Sequence, residues 1–251
     1  MNYLSLFSGA CGGDLAFQHL LTGFKCVGYV EIDDYCQRVI RQRQRDGLLD
    51  DAPIFGDIRT FISEGYAEAY QGMVDLITGG FPCKDISCAK STGAEGIEGK
   101  HSGLWNEMAE VVRQVRPKYV FVENSPTLTV RGLGTVLREM AEMGFNARWC
   151  VLGCNSLCKY GLIRERIWIM AVHNRINGKR LQVQERIHVK GKFRSLPTSF
   201  TLPDAKISWL MANGYAVREI DDVAGTMDRV KAIGNMQTPI VAATAWEILK
   251  P

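Results

Sequence analysis

The tetrapeptide Phe81-Pro82-Cys83-Lys84 follows two glycines, which in turn end the apolar run Leu76-Ile77-Thr78. A thiolate is a strong nucleophile, and the neighbours of Cys83 favour one. Pro82 fixes the backbone just before it. The glycines give the loop freedom to move. The Lys84 ammonium lowers a thiol pKa and raises the thiolate fraction. Taken alone, Cys83 also suits a small buried hydrophobe. Glu123 ends a second apolar run, KYVFVE (118–123), and Asn124 follows it. An ionised carboxylate would repel a thiolate nearby, whereas a protonated one donates a hydrogen bond to a substrate. Cys83 with Glu123 therefore points to attack on an electron-poor ring, with protonation elsewhere on that ring. Arg164 and Arg166 open a further apolar run. At i and i+2 of a strand they share a face, where they could hold a phosphate or a base edge. The alternative for the pair is surface charge leading into a strand.

A second constellation suits a cofactor. Gly9, Gly12 and Gly13 follow the first apolar run, YLSLF (3–7). Such a loop lets a ligand approach the backbone at a helix N-terminus. Glu31 ends the next run, KCVGYV (25–30), about where an acidic residue meets a ribose hydroxyl. Asp57 ends a third. The spacing is not GxGxxG, so a single nucleoside is favoured over a dinucleotide. Glu31 alone would pass for a solvated loop carboxylate.

These residues need a scaffold that gathers them. Strands are expected at 3–7, 25–30, a stretch ending at Asp57, 73–78, 118–123, 146–152 and 166–172. Helices are expected at about 14–22, 33–45 with Asp33 or Asp34 as N-cap, 60–70, 103–115 and 133–143. A glycine turn at 233–234 leads to a last helix with Pro239 in its first turn. Strands alternating with helices of this length predict an α/β fold with a largely parallel sheet. In open sheets of this kind ligands sit outside the carboxyl ends of the strands. The 8–13 loop, Glu31, Asp57, Pro82-Cys83 and Glu123-Asn124 all fall at such ends.

The 251 residues suffice for one large domain, or one with a small companion, and 46% hydrophobic against 23% charged residues is ordinary for a globular chain. The chain carries eight cysteines, no secretory leader pattern and no apolar run of about 18 residues. A cytoplasmic protein with reduced thiols is expected. Cys150, Cys154 and Cys158 recur every four residues but form no CxxC pair, and no metal site is assigned. The net charge of +3 is a weak pointer to a polyanion. Its distribution says more: residues 173–200 hold seven Lys or Arg against one acidic residue, Glu185. With His188, Val189 and Phe193 interleaved, this segment fits nucleic-acid contact better than a solvated charge run.

In order along the chain these residues resemble one family, the cytosine-5 DNA methyltransferases. LFSGACGGD is similar to that family's S-adenosylmethionine loop, GFPCKDIS to its nucleophile loop, VEN to its Glu-Asn pair, RER to its paired arginines and IGNMQTPIVA to its late Gly-Asn turn. SGLW (102–105) and, loosely, LPDAKISWLMANGY (202–215) also match. The resemblance implies a Rossmann-like, mostly parallel sheet of the S-adenosylmethionine-dependent methyltransferase type with a small basic target-recognition segment. It implies a catalytic domain of residues 1–172 and 233–251 and a target-reading region of 173–232. It makes Cys83, Glu123, Arg166, Arg164, Pro82 and Asn124 catalytic. It assigns the cofactor to Phe7, Ser8, Gly9, Cys11, Gly12, Glu31, Asp57, Ile58, Leu104 and Asn235. Lys84, Ser87, Arg175, Lys179, Arg180, Arg186 and Lys190 would touch double-stranded DNA. The implied chemistry flips a cytosine from the duplex, adds the Cys83 thiolate to C6 and transfers a methyl group to C5.

The chain departs from the family pattern at three places. Cys11 stands where a glycine is usual, Lys84 where a glutamine is usual, and the Pro-Gln before the arginine pair is missing. The short variable segment implies a short target, on the order of 2–4 base pairs. Two other functions stay open: an RNA (tRNA) methyltransferase with the same chemistry, and a silent member that only binds DNA or regulates a partner. An associated restriction endonuclease is a further implied partner.

Overall fold

The computed structural model describes residues 1–82, 104–154, 164–177, 185–186, 232 and 235–251. Cys83, Lys84, Ser87, Lys179, Arg180 and Lys190 lie outside them, and of Arg186 only the backbone is described. The chain begins with β1 (Asn2–Leu6) and α1 (Gly12–Leu15), which runs on as a π-helical turn, Ala16–Leu20. Next come β2 (Lys25–Val30), α2 (Asp34–Arg45), β3 (Ile54–Phe55), α3 (Ile58–Ser63), α4 (Tyr66–Ala69) and β4 (Leu76–Gly79). Then follow α5 (Leu104–Val115), β5 (Tyr119–Asn124), a 3-10 turn at Pro126–Thr129, α6 (Leu133–Glu142), β6 (Phe145–Gly153) and β7 (Glu165–His173). α7 (Asn174–Asn177), β8 (Glu185–Arg186) and α8 (Pro239–Leu249) complete the described elements.

The strands form one sheet in the order β3-β2-β1-β4-β5-β7-β6-β8. β1 lies parallel to β2 and β4, and β4 to β5, so Leu6, Val30, Gly79 and Asn124 end at one edge of the sheet. That edge is where the sequence places the chemistry. β7 runs antiparallel to its neighbours β5 and β6. Its N-terminal end, with Arg166, therefore meets the carboxyl end of β5, where Ile167 pairs Asn124.

The expected elements among the described residues recur with local differences: the strand expected over 73–78 begins only at Leu76, and the glycine turn at 233–234 lies outside the described residues. The strand predicted to end at Asp57 is only two residues long, and Asp57 instead caps α3, accepting from Arg59 N at 2.9 Å. A short polar side chain beside free helix N–H groups favours that role. The helix expected over 60–70 is two short ones, split at Glu64-Gly65. The helix expected over 14–22 is one α turn followed by the π turn. Asp33 caps α2 as expected, accepting from Tyr35 N and Cys36 N.

Alternation along each central strand sends side chains to opposite faces. Leu4 and Leu6 of β1, Val120 and Val122 of β5 and Ile167 and Ile169 of β7 pack against α3 to α6. Tyr3, Phe121 and Trp168 face the other way, toward α1, the π turn and α8. On that second face Phe17 meets Phe121 edge-on at 5.9 Å and Trp246 at 5.4 Å. Phe17 thus locks α8 to the sheet, and α8 carries the segment 235–237 that reaches the site. Phe17→Ala is expected to destabilise the protein by about 3–5 kcal/mol, measurable by urea denaturation. A loss below 1 kcal/mol would show that α8 is held by other contacts.

Candidate active site

The first wall of the site is the loop after β1. Its backbone turns left-handed at three alternate positions, Phe7 (φ 50°), Gly9 (φ 54°) and Cys11 (φ 57°). Gly9 adopts this freely, while Phe7 and Cys11 do so against a penalty of roughly 1–2 kcal/mol each. The surroundings hold them there. Ser8 N donates to Val30 O at 3.2 Å, Cys11 N to Ser8 O at 2.8 Å, and Ser8 Oγ to Ser5 O at 3.1 Å. Gly9 N donates to Glu31 Oε2 at 2.6 Å, and Asp33 N to Glu31 Oε1 at 2.8 Å. Glu31 is buried at the end of β2. Through these two bonds it shapes the loop.

Beneath the loop lies a layer of polar groups. Asp14 is buried; its Oδ2 accepts from Ser5 Oγ at 3.2 Å, and its Oδ1 has no hydrogen-bond partner. Burial pushes its carboxyl up to about 6, although the Ser5 hydroxyl and the Cys11 thiol pull it back. Cys11 is wholly buried, and burial raises its thiol well above the ordinary range. Arg43 crosses from α2, buried, to donate to the Ala10 carbonyl. Position 11 thus holds a buried core side chain in a left-handed conformation, where the resemblance implies a glycine.

The second wall is Glu123, buried at the end of β5. Arg166 Nε donates to its Oε1 at 2.8 Å. Burial raises the Glu123 carboxyl; Arg166, Arg164 and a hydrogen bond from Gln237 pull it down. Asn124 is turned the other way: its Nδ2 donates to Phe81 O at 3.0 Å, and its Oδ1 accepts from Ser125 N at 2.7 Å. It pins the backbone immediately before Pro82. Gly80 sits under the carboxylate so closely that a Cβ there would lie 2.6 Å from Glu123 Oε2.

Between the walls is a cleft lined by Ser5 to Gly9, Gly13, Asp14, Thr78 to Gly80, Glu123 and Asn235 to Gln237. Phe7, Ser8, Gly9, Glu123 and Asn235 are therefore brought together as the sequence implied. Cys11, Gly12, Asp57, Ile58 and Leu104 do not line this cleft. Glu31 stands behind it, tied to Gly9. Arg164 donates to Met236 O at 2.8 Å and so holds the third wall. Arg175 is elsewhere: it donates to the carbonyls of Arg116 and Pro117, next to the residues that begin β5, at the opposite sheet edge from Glu123. Sequence reasoning missed Asp14, Gly80 and Gln237. Asp14 could have been found as a carboxylate set among glycines, and Gln237 as a polar residue between the Gly-Asn turn and an apolar helix.

Asp14 makes stability depend on pH. A carboxyl held above its ordinary value binds its proton more tightly in the folded state. Its contribution to stability is present below about pH 4 and lost as pH rises through about 6. In the cofactor-free protein, Asp14→Asn is expected to raise Tm at pH 8, reflecting a gain in unfolding free energy of at most about 3 kcal/mol. The gain should shrink toward pH 4, and a Tm difference that stays constant from pH 4 to 8 would refute it.

Comparison with known proteins supplies the family. Residues 1–227 match the model for C-5 cytosine-specific DNA methylase. The type II methyltransferase M.CviJI of Paramecium bursaria Chlorella virus IL3A is 33% identical over 148 residues, covering 58% of this chain and 36% of that protein. The type II methyltransferase M.HhaI of Haemophilus parahaemolyticus is 28% identical over 217 residues, 84% of this chain and 60% of that protein. The chain thus spans less than two thirds of the length of these relatives. Among solved structures, Entamoeba histolytica methyltransferase EhMeth superimposes with TM-score 0.59 at 11% identity, covering 99% of this chain and 97% of that one. Spodoptera frugiperda DNMT2 gives TM-score 0.54 at 16% identity, over 76% and 56%. The structural likenesses show the fold, and the match over residues 1–227 shows that the chain belongs to the C-5 cytosine-specific DNA methylase family.

Proposed function

We propose that the chain transfers a methyl group from S-adenosylmethionine to C5 of a cytosine flipped out of double-stranded DNA. The observation that carries this reading is the buried Glu123, paired with Arg166 and facing a cleft whose opposite wall is the Phe7–Gly9 loop. S-adenosylmethionine, when bound, supplies an electrophilic methyl group. The residues present fit it. Glu31 offers a carboxylate to hydroxyl donors, and Asp14, a lining residue whose buried Oδ1 has no hydrogen-bond partner, suits a ligand bearing an ammonium group. Phe7, Ser8, Gly9 and Asn235 would enclose the cofactor.

The chain's own residues then divide the work. Cys83, as thiolate, adds to C6 of the base. Glu123 receives the exocyclic amine and protonates N3, which its raised pKa favours. Arg166 holds that carboxylate in place, and Asn124 sets the chain direction into Pro82-Cys83. Once C5 carries the methyl group, loss of the C5 proton to solvent would return its electron pair to the C5–C6 bond and break the C6–S bond, so that the Cys83 thiolate leaves and the N3 proton returns to Glu123. Residues 173–232, with Lys179, Arg180, Arg186 and Lys190, would read a target of roughly 2–4 base pairs. Lys84 and Ser87 would touch the flipped nucleotide or its phosphates, and a cognate restriction endonuclease would share the target. Among the described residues no helix is long and apolar enough to cross a membrane.

The test is methyl transfer from labelled S-adenosylmethionine to a mixed-sequence duplex, with tRNA in competition. Wild type is expected to label DNA, and bisulfite sequencing to locate the protected cytosines. Cys83→Ser is expected to lose at least about a thousandfold in rate, since a hydroxyl stays protonated where a thiol does not. Preferential labelling of tRNA would move the substrate to RNA. Binding without transfer by wild type would leave a silent DNA-binding member.

A further inference from the structure

We propose that Gln237 is a positioning residue that ties the cofactor loop to the carboxylate receiving the base. The proposal rests on the reading of Glu123 above and deepens it. Gln237 lies between the cleft residues Asn235 and Met236 and Thr238, the N-cap of α8. Its side chain hydrogen-bonds Glu123. A Cβ on Gly80 would fall 2.6 Å from Glu123 Oε2 and 3.2 Å from Gln237 Nε2, so carboxylate and amide meet over the same glycine. A carboxylate only accepts, so the amide nitrogen faces it. The other end of the amide points at the cofactor loop: a Cβ on Gly13 would lie 2.1 Å from Gln237 Oε1, and one on Gly12 would lie 1.9 Å from Gln237 O.

One side chain therefore touches both halves of the site, and its backbone has little freedom. Arg164 grips Met236 O at 2.8 Å, Met236 N donates to Ala232 O at 2.9 Å, and α8 is buried along nearly its whole length. A ligand that displaces the Gly12-Gly13 backbone must move the Gln237 amide, and with it a donor on Glu123. Among the described residues the charged groups facing Glu123 are Arg166, from β7, and Arg164, the residue just before that strand. Gly80 and Gln237 add no charge from their own elements. Gln237 is the uncharged donor on Glu123, and the one placed to report the state of the cofactor loop.

The carboxyl carbon of Glu123 can be titrated by NMR in ¹³C-glutamate-labelled protein, its resonance assigned by loss in Glu123→Gln. In Gln237→Met, similar in shape but without a donor, the proton affinity of Glu123 is expected to rise roughly three- to tenfold. S-adenosylhomocysteine is expected to shift the Glu123 midpoint in wild type and leave it in place in Gln237→Met. An unchanged midpoint in the variant, or an equal response to S-adenosylhomocysteine, overturns the proposal. Gln237→Glu provides a second test. At low pH a protonated Glu side chain donates as the amide does, so methyl transfer to the mixed-sequence duplex should approach the wild-type rate at the same pH. At pH 8 the two carboxylates repel, and the ratio should fall about tenfold or more. A ratio that is flat with pH overturns the positioning role. Absence of transfer by wild type overturns the functional reading instead, while the carboxyl titration still decides the role of Gln237.

Discussion

A carboxylate out of water needs donors, and the active end of this fold is arranged around meeting that need at Glu123. Desolvation raises its pKa, and Arg166 on one oxygen and Gln237 beside the other oppose that rise. The balance requires β7 to run antiparallel to β5, because only then does the start of β7 bring Arg166 to the end of β5. It requires Gly80 under the carboxylate and α8 docked where residues 235–237 can reach it. A carboxyl raised above its ordinary range holds a proton more readily, which suits the base recognition proposed for it.

The opposite wall stores strain in place of charge. Phe7 and Cys11 are held left-handed by bonds from Ser8 and Gly9 and by the Arg43 guanidinium on Ala10 O. Such conformations persist only where the surroundings over-determine them. Here the surroundings include a buried acid, Asp14, with one oxygen unpartnered. A loop already bent to receive a ligand has less ordering entropy to lose when the ligand arrives. Cys11 in place of glycine adds to the strain, and its thiol is absorbed by the apolar cluster behind the loop instead of entering the cleft.

Two residues singled out in the sequence take structural roles in three dimensions. Asp57 was expected at a strand end; it is a helix cap, because a two-residue strand leaves it beside the free N–H groups of α3. Arg175 looked like part of a basic reading segment by charge alone. Its guanidinium instead satisfies two carbonyls at the far sheet edge, a use of arginine that composition cannot distinguish from phosphate contact.

The alternation of apolar runs with amphipathic stretches determined the α/β class and the sheet edge at which the candidate site residues cluster. Those signals are local, because burial on two sheet faces imposes a pattern on each strand separately. The ordered residues Phe7, Gly9, Glu31, Pro82-Cys83, Glu123-Asn124 and Asn235 likewise determined the family. Tertiary structure alone decided which of them meet. It set the reversed direction of β7, the turning of Asn124 toward Phe81 O, the burial of Asp14 and Arg43 under the loop, and the reach of Gln237 to Glu123 across a span of more than a hundred residues. These are contacts between segments remote in sequence. Their geometry follows from how the whole sheet packs, and no single segment's pattern contains it.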